Sequence, residues 1–210
     1  HINTSENRAV LHTALRSDLG GTALALQAHR DAMNVLDQLE AVVERLRAEG
    51  ITDVISVGIG GSDLGPRLVL DALSEYAQSG FNVHFLSSAD GMYLDRFTST
   101  LDPARTAVLL VSKSFNTQET LINGAVLKRW LDDPSRIYAI TANAARAVAF
   151  GVVPNNVLPI WDWVGGRFSV WSAVAFSTVL GLGMPAFREF LRGGAEMDAH
   201  FLQTPVEDNV

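Results

Sequence analysis

The chain has 210 residues, a net charge of −7, 48% hydrophobic residues and no cysteine. This composition predicts a soluble globular protein, and it excludes disulfides, thiolate metal sites and cysteine nucleophiles. The negative charge argues against a nucleic-acid binder, and the lack of a long apolar run or secretory signal predicts no membrane span and a cytoplasmic location. Because the sequence starts at His1 and stops soon after Pro205, we expect a piece of a longer protein.

The first 49 residues are predicted to form a helical N-terminal segment, with helices over 5–16 and 22–49. In the longer helix, apolar residues such as Leu39, Val43 and Leu46 recur at three- and four-residue spacings, with charges between them. A glycine follows its end, which suits the position just after a helix.

From residue 50 to residue 165 the pattern changes to strands alternating with helices. Short apolar runs predict strands at 54–57, 83–86, 106–111, 136–140 and 157–160. The stretches between them predict helices at 66–78, 90–100, 117–131 and 143–149. This alternation, with continuous hydrophobicity in the strands, predicts an α/β fold: a three-layer αβα sandwich around a mostly parallel five-stranded sheet. A last helical segment, 166–210, is expected to be broken near Gly183 and Pro185.

The first candidate site is a glycine-rich turn, 58–66, which reads Gly-Ile-Gly-Gly-Ser-Asp-Leu-Gly-Pro. It lies between a predicted strand and a predicted helix, where parallel sheets bind ligands. The glycines let the backbone approach a ligand closely, and Ser62 could bond a ligand oxygen or the free N–H groups of the helix. The spacing matches neither the dinucleotide fingerprint nor a P-loop, so a structural turn with Ser62 as the helix cap stays an alternative.

The second candidate site is the strand-to-helix turn 112–117, which is rich in hydroxyl groups. Asn116 followed by Glu119 resembles a capping box, so the helix is predicted to start near the end of this turn. A helix N-terminus has unpaired N–H groups and a partial positive charge, so it favours an anion such as phosphate. The hydroxyls that gather there are those of Ser112, Ser114 and Thr117. Lys113 adds either its charge or only its backbone N–H; alternatively, the hydroxyls merely cap the helix.

The third candidate stretch, 161–172, holds three tryptophans around a double glycine and one arginine. Arg167 follows Gly165 and Gly166 directly, so it could offer its charged fork to an oxyanion with little steric obstruction. The alternative is an aromatic packing cluster in which Arg167 pairs with Asp162.

The remaining polar residues give weaker signals. The five histidines show no metal-ligand spacing, so no metal site is predicted, and each histidine is expected at the surface or in packing. No G-x-S-x-G sequence occurs, so a Ser-His-Asp triad has no support.

Taken in order, the three stretches resemble the glucose-6-phosphate isomerase family. The segments 2–12 and 193–205 are also similar to parts of that family, so the resemblance covers essentially the whole chain. The tryptophan stretch is its most specific part, since the glycine turn alone is similar to other sugar-isomerase (SIS) domains. The resemblance implies a SIS-type phosphosugar-binding domain over 50–165, preceded by the segment 1–49 and followed by 166–210.

This resemblance implies the reversible conversion of glucose 6-phosphate to fructose 6-phosphate through an enediolate, without a metal or redox cofactor. The reaction needs a base, an acid that opens the ring, a phosphate anchor and a group that stabilises the enediolate. The resemblance implies phosphate contacts from Ser112, Ser114 and Thr117, with main-chain contacts from Lys113. It implies enediolate stabilisation by Arg167, and a sugar-phosphate lining formed by Gly61, Ser62 and Gly166.

The sequence also departs from the family pattern. Ser114 and Asn116 stand where many members have threonine, but serine keeps the hydroxyl group. The Glu-Ser-Asn-Gly-Lys motif that carries the family's base is missing, and no histidine here matches its ring-opening histidine. We therefore expect this chain to be inactive alone, and its full-length parent to be a homodimeric isomerase that binds neither nucleic acid nor membranes. The alternative is a stand-alone sugar-phosphate-binding module or regulator.

Overall fold

The structure, a computed structural model, describes residues 2–4, 7–77 and 80–209. Its strands are β1 (Ile2–Asn3), β2 (Arg8–Ala9), β3 (Asp53–Val57), β4 (Asn82–Leu86), β5 (Thr106–Val111), β6 (Ile137–Thr141) and β7 (Val157–Pro159). Its helices are α1 (Ala23–Ala48), α2 (Leu64–Ala72), α3 (Gly91–Thr100), α4 (Gln118–Leu131), α5 (Ala144–Phe150), α6 (Phe176–Leu182) and α7 (Met184–Gln203). The predicted alternation of strands and helices is therefore confirmed.

Strands β3 to β7 form one parallel sheet in the order β4-β3-β5-β6-β7. The central strand β5 is buried along its whole length, because helices cover both faces of the sheet. Ala107 and Leu109 point to the face that packs against α1, α6 and α7. Val108 and Leu110 point to the opposite face, against α3, α4 and α5. The predicted three-layer αβα sandwich is confirmed, and its continuous hydrophobic strands follow from burial on both faces.

The predicted helix over 5–16 is wrong. Strand β1 pairs antiparallel with β2, and a single 3₁₀ turn follows at His12–Leu15. Asn7 has a φ of 51°, a left-handed conformation that a right-handed helix cannot contain. Residues 5 and 6 lie outside the described part of the chain. Leu15, at 0% exposure, nevertheless packs into the core beside α1.

Two other predicted helices differ in detail. The helix expected over 66–78 begins at Leu64 and ends at Ala72, followed by a 3₁₀ turn at Ser74–Tyr76, and residue 78 lies outside the described residues. The last helical block opens with 3₁₀ turns at Gly166–Trp171 and Ala173–Ala175. Its predicted break is confirmed, because Gly183 has a φ of 94° and separates α6 from α7.

The parallel register brings the carboxyl ends of the strands to one edge. Val57 of β3 lies beside Leu110 of β5, and Val111 lies beside Ile140 of β6. The turns that follow β3, β5 and β7 therefore leave the sheet on the same side. No helix of the described residues is long and apolar enough to cross a membrane.

Candidate functional site

The three turns predicted from the sequence meet at the carboxyl edge of the sheet. The glycine turn follows β3, the hydroxyl turn follows β5, and the arginine turn follows β7 through Trp161 and Trp163. We call them by these names: glycine turn for 58–63, hydroxyl turn for 112–117 and arginine turn for 165–168. Their mutual contacts decide what the edge can bind.

The glycine turn is shaped by close backbone contacts. A Cβ on Gly61 would lie 2.2 Å from the carbonyl oxygen of Gly166, so the glycine and arginine turns touch through their main chains. Gly60 has a φ of 61°, which favours glycine. Asp63, not Ser62, is the N-cap residue of α2, and its side chain makes no capping bond. The alternative of Ser62 as the helix cap is therefore wrong.

Asp63 is the acidic group of the glycine turn, and it is buried at 4% exposure. Its carboxylate accepts a hydrogen bond from Arg67 one helical turn later, at 2.7 Å. The pair places a neutralised carboxylate behind the turn, so it does not oppose an anion at the sheet edge.

The hydroxyl turn presents donors at the start of α4. The Oγ of Ser112 lies 3.0 Å from the Oγ1 of Thr117, and Thr117 is the N-cap residue, as expected for a helix that starts there. The predicted capping box is wrong, because Thr117 makes no side-chain capping bond and Asn116 lies one residue before the cap. The hydroxyls therefore do not merely cap the helix. The first backbone N–H groups of α4 lack intrahelical acceptors, as at every helix start.

Phe115 fixes the shape of the hydroxyl turn. Its φ is 48°, and its side chain is only 2% exposed, packed edge-on against Phe150 at 5.8 Å. Its N–H donates to the carbonyl of Ser112 at 3.0 Å. A left-handed residue of this size is held by its buried ring, and it turns the exposed Ser114 outward.

Lys113 links the hydroxyl turn to the tryptophan stretch. Its Nζ donates to the carbonyl oxygens of Asp162 and Val164, both at 3.0 Å. Its own carbonyl accepts from Ala142 and from the Oγ1 of Thr141. Of the two possibilities left open by the sequence, this geometry favours the main chain of Lys113 as the group available to an anion.

The arginine turn is held by contacts that are distant in sequence. The N–H of Gly165 donates to the Nε2 of His12 at 3.0 Å, across 153 residues. The Oγ of Ser169 donates to the carbonyl oxygens of Gly61, at 3.0 Å, and Gly166, at 2.7 Å. These bonds fix the backbone on both sides of Arg167.

Arg167 itself is exposed. Its guanidinium lies over the ring of Phe168, 4.8 Å from the ring centroid, and among the described residues it makes neither an ion pair nor a hydrogen bond. The alternative in which Arg167 pairs with Asp162 is therefore not seen. Trp161 and Trp163 do stack, with ring centroids 5.3 Å apart, so the aromatic part of that alternative is present.

Sequence reasoning missed His12 and Ser169 as parts of this edge. His12 was expected to be a surface or packing residue, and no local spacing connects it with Gly165. Only the fold brings it there, through the 3₁₀ turn at His12–Leu15. In the part of the chain that the structure describes, no three side chains gather as metal ligands.

Comparisons with known proteins agree with this architecture. A family model described as phosphoglucose isomerase matches residues 1–210. Among curated relatives, the glucose-6-phosphate isomerase of Xylella fastidiosa (strain M12) is 54% identical over 210 residues, and that of Xanthomonas euvesicatoria pv. vesicatoria (strain 85-10) is 52% identical. Each match covers all of this chain and 42% of the relative, so the chain spans less than half the length of these curated relatives.

Solved structures give the same result. A glucose-6-phosphate isomerase from Chlamydia trachomatis matches with a TM-score of 0.83 and 29% identity, over 94% of this chain and 40% of that one. A hypothetical protein from Thermus thermophilus matches with a TM-score of 0.67 and 27% identity, over 95% of this chain and 50% of that one. The predicted SIS-type fold is confirmed. Because the family model matches every residue, the chain belongs to the phosphoglucose isomerase family.

Proposed function

We propose that this chain supplies the sugar-phosphate site and the enediolate-stabilising arginine of a glucose-6-phosphate isomerase. The whole enzyme interconverts glucose 6-phosphate and fructose 6-phosphate by moving a proton between C2 and C1. The observation that carries the proposal is the meeting of the glycine, hydroxyl and arginine turns at one sheet edge. It supports an anion site that includes Arg167, whose guanidinium makes neither an ion pair nor a hydrogen bond with the residues that the structure describes.

The hydroxyl turn anchors the phosphate. Its donors are the side chains of Ser112, Ser114 and Thr117, the main chain of Lys113 and the first N–H groups of α4. A phosphate monoester carries a charge near −2 at neutral pH, and each charge-assisted hydrogen bond contributes about 1.5–3 kcal/mol. Concentrating these donors at one helix end lets a protein of net charge −7 bind an anion.

Arg167 stabilises the enediolate. Its planar guanidinium offers a fork of N–H donors to the oxygens on C1 and C2 of the sugar. Negative charge develops on these oxygens during proton transfer. The backbone around Gly61, Ser62 and Gly166 lines the sugar phosphate, because a turn without bulky side chains lets the ligand approach closely. We assign no step of this proton transfer to a metal ion or a redox cofactor.

The base lies outside these 210 residues. The sequence contains no Glu-Ser-Asn-Gly-Lys motif, so the proton acceptor comes from another part of a longer, cytoplasmic and homodimeric enzyme. A coupled assay with fructose 6-phosphate tests this division. We expect turnover by the full-length polypeptide and none by the 210-residue chain; clear turnover by the 210-residue chain contradicts the assignment.

A second candidate function is a stand-alone sugar-phosphate-binding module. It is favoured by the same observation: the hydroxyl turn is complete while the base motif is missing. Calorimetry of the folded 210-residue chain with fructose 6-phosphate separates the two. Binding with an affinity equal to that of the full-length polypeptide favours the module, whereas much weaker binding favours a site completed by the rest of the enzyme.

A further inference from the structure

His12 lies directly against the arginine turn. Its Nε2 accepts the Gly165 N–H at 3.0 Å, and its ring lies 4.1 Å from the ring of Phe168, tilted by 37°. A Cβ on Gly165 would come within 3.3 Å of the same Nε2. The imidazole therefore contacts the turn through one hydrogen bond and one ring face.

The hydrogen bond fixes the chemical form of the imidazole. Only an unprotonated ring nitrogen accepts a hydrogen bond, so the neutral ring carries its proton on Nδ1. An imidazolium would place a donor against the donor of Gly165. The bond thus needs both the histidine and its neutral Nδ1–H tautomer.

Phe168 connects this histidine with the arginine. Its ring contacts His12 at 4.1 Å and carries the guanidinium of Arg167 at 4.8 Å. Because Arg167 makes no hydrogen bond or ion pair with any described residue, its direction depends on the backbone of the turn and on this ring. His12 contacts both, and Ser169 holds the backbone from the other side.

We propose that His12 is a positioning residue for Arg167: its neutral imidazole holds the Gly165 N–H and the Phe168 ring, and thereby aims the guanidinium at the reacting oxygens. This inference rests on the proposed function. The N-terminal segment, which contributes no group to the phosphate anchor, thus acts on the rate of the reaction through the arginine turn. Substrate affinity, which depends on the separate hydroxyl turn, is not controlled by His12.

Two substitutions separate the hydrogen bond from the packing. His12→Phe keeps a ring against Phe168 but removes the acceptor, whereas His12→Gln keeps an acceptor at the same distance along the side chain. In the full-length polypeptide, we expect His12→Phe to lower kcat about 10-fold to 100-fold, the size expected for a displaced catalytic group, with little change in KM. We expect His12→Gln to recover most of that loss.

Two further comparisons test whether the effect passes through Arg167. In an Arg167→Ala background, His12→Phe should have almost no further effect on kcat, because the group it positions is gone. The matched control is His84→Gln: His84 lies on the edge strand β4 and bonds Asp53 of β3, so this substitution should leave kcat unchanged. Thermal unfolding of each variant gives the stability change that a purely structural histidine would cause.

The unmodified 210-residue chain gives a readout that needs no variant. Nitrogen NMR of its histidines at neutral pH should show His12 as the neutral Nδ1–H tautomer; an Nε2–H tautomer or an imidazolium overturns the inference. So does an unchanged kcat for His12→Phe, or an additive effect in the Arg167→Ala background. If the wild-type full-length polypeptide lacks isomerase activity, the proposed function itself is wrong. No result with a His12 variant can give that outcome, so failure of the proposed function and failure of this inference are distinguishable.

Discussion

The hydroxyl turn and the arginine turn lie at the same sheet edge but are built in opposite ways. In the first, Ser112 and Thr117 bond each other across five residues, from the residue after a buried strand to the N-cap residue of a helix. In the second, Gly165 is held by His12 across 153 residues, and Ser169 reaches Gly61 across 108. The bond between the two hydroxyl groups is local, although Lys113 of the same turn also reaches Asp162 and Val164, whereas the bonds that hold the arginine turn are tertiary.

This difference suggests that the two turns have separate functions, one in substrate binding and the other in the chemical step. A turn fixed between a central strand and its following helix is preformed, which suits a constant anchor for phosphate. A turn fixed by three separate segments can be adjusted without moving that anchor. We therefore expect changes in the hydroxyl turn to alter substrate affinity, and changes in the arginine turn to alter the rate of the chemical step.

The largest effect is expected from Arg167→Ala in the full-length polypeptide. Losing one preorganised donor to a developing oxyanion lowers kcat by about 10²- to 10³-fold, while KM changes little. Steady-state kinetics of the isomerase reaction measures both. Arg167→Lys is the matched control: it keeps the charge but not the planar fork, so it should recover only part of the rate. An unchanged kcat would make Arg167 a packing residue and end the comparison.

Gly61→Ala is expected to break the contact between two of the turns. The new Cβ would lie 2.2 Å from the Gly166 carbonyl oxygen and 2.5 Å from its carbon, and backbone atoms have no flexible end to move aside. Overpacking of this kind costs about 1–3 kcal/mol, measurable by urea unfolding of the 210-residue chain.

Gly166→Ala is the control for that measurement. A Cβ at Gly166 meets nothing within 4 Å, so its free energy of unfolding should change by less than about 0.5 kcal/mol. Equal effects of the two substitutions would show that the turns do not depend on their mutual contact.

The same contrast explains how far the sequence could predict the molecule. The strands were predicted because burial on both faces leaves a continuous apolar run, and the start of α4 was predicted because hydroxyl and amide side chains mark helix starts. Both are local signals. The strand pair Ile2–Asn3 with Arg8–Ala9 was mistaken for a helix. The left-handed conformation of Asn7, which rules the helix out, cannot be predicted from the spacing of apolar residues.

The tertiary half of the site was beyond sequence reasoning. Lys113 could be seen as a charge near a phosphate, but not as a tie to the carbonyls of Asp162 and Val164. His12 had no neighbour in sequence that would mark it as a partner of Gly165. Long-range hydrogen bonds to main-chain groups carry no side-chain pattern, so they become visible only once the fold is known.

The smallest kinetic effect is expected in the local turn, from Thr117→Val. This substitution keeps the shape of the side chain and removes a hydroxyl that we propose as a donor to the phosphate. Losing a charge-assisted hydrogen bond of about 1.5–3 kcal/mol raises KM for fructose 6-phosphate roughly 10-fold to 100-fold, with kcat nearly unchanged.

Thr98→Val, near the end of α3, is the control for Thr117→Val. The Thr98 hydroxyl donates to carbonyl oxygens of its own helix, those of Leu94 and Asp95, and lies outside the hydroxyl turn, so its loss should leave KM unchanged. The comparison between the two turns depends on the contrast with Arg167. If Thr117→Val lowered kcat and left KM alone, the hydroxyl turn would act on the transition state, and the division between an anchor and a rate-setting turn would be wrong.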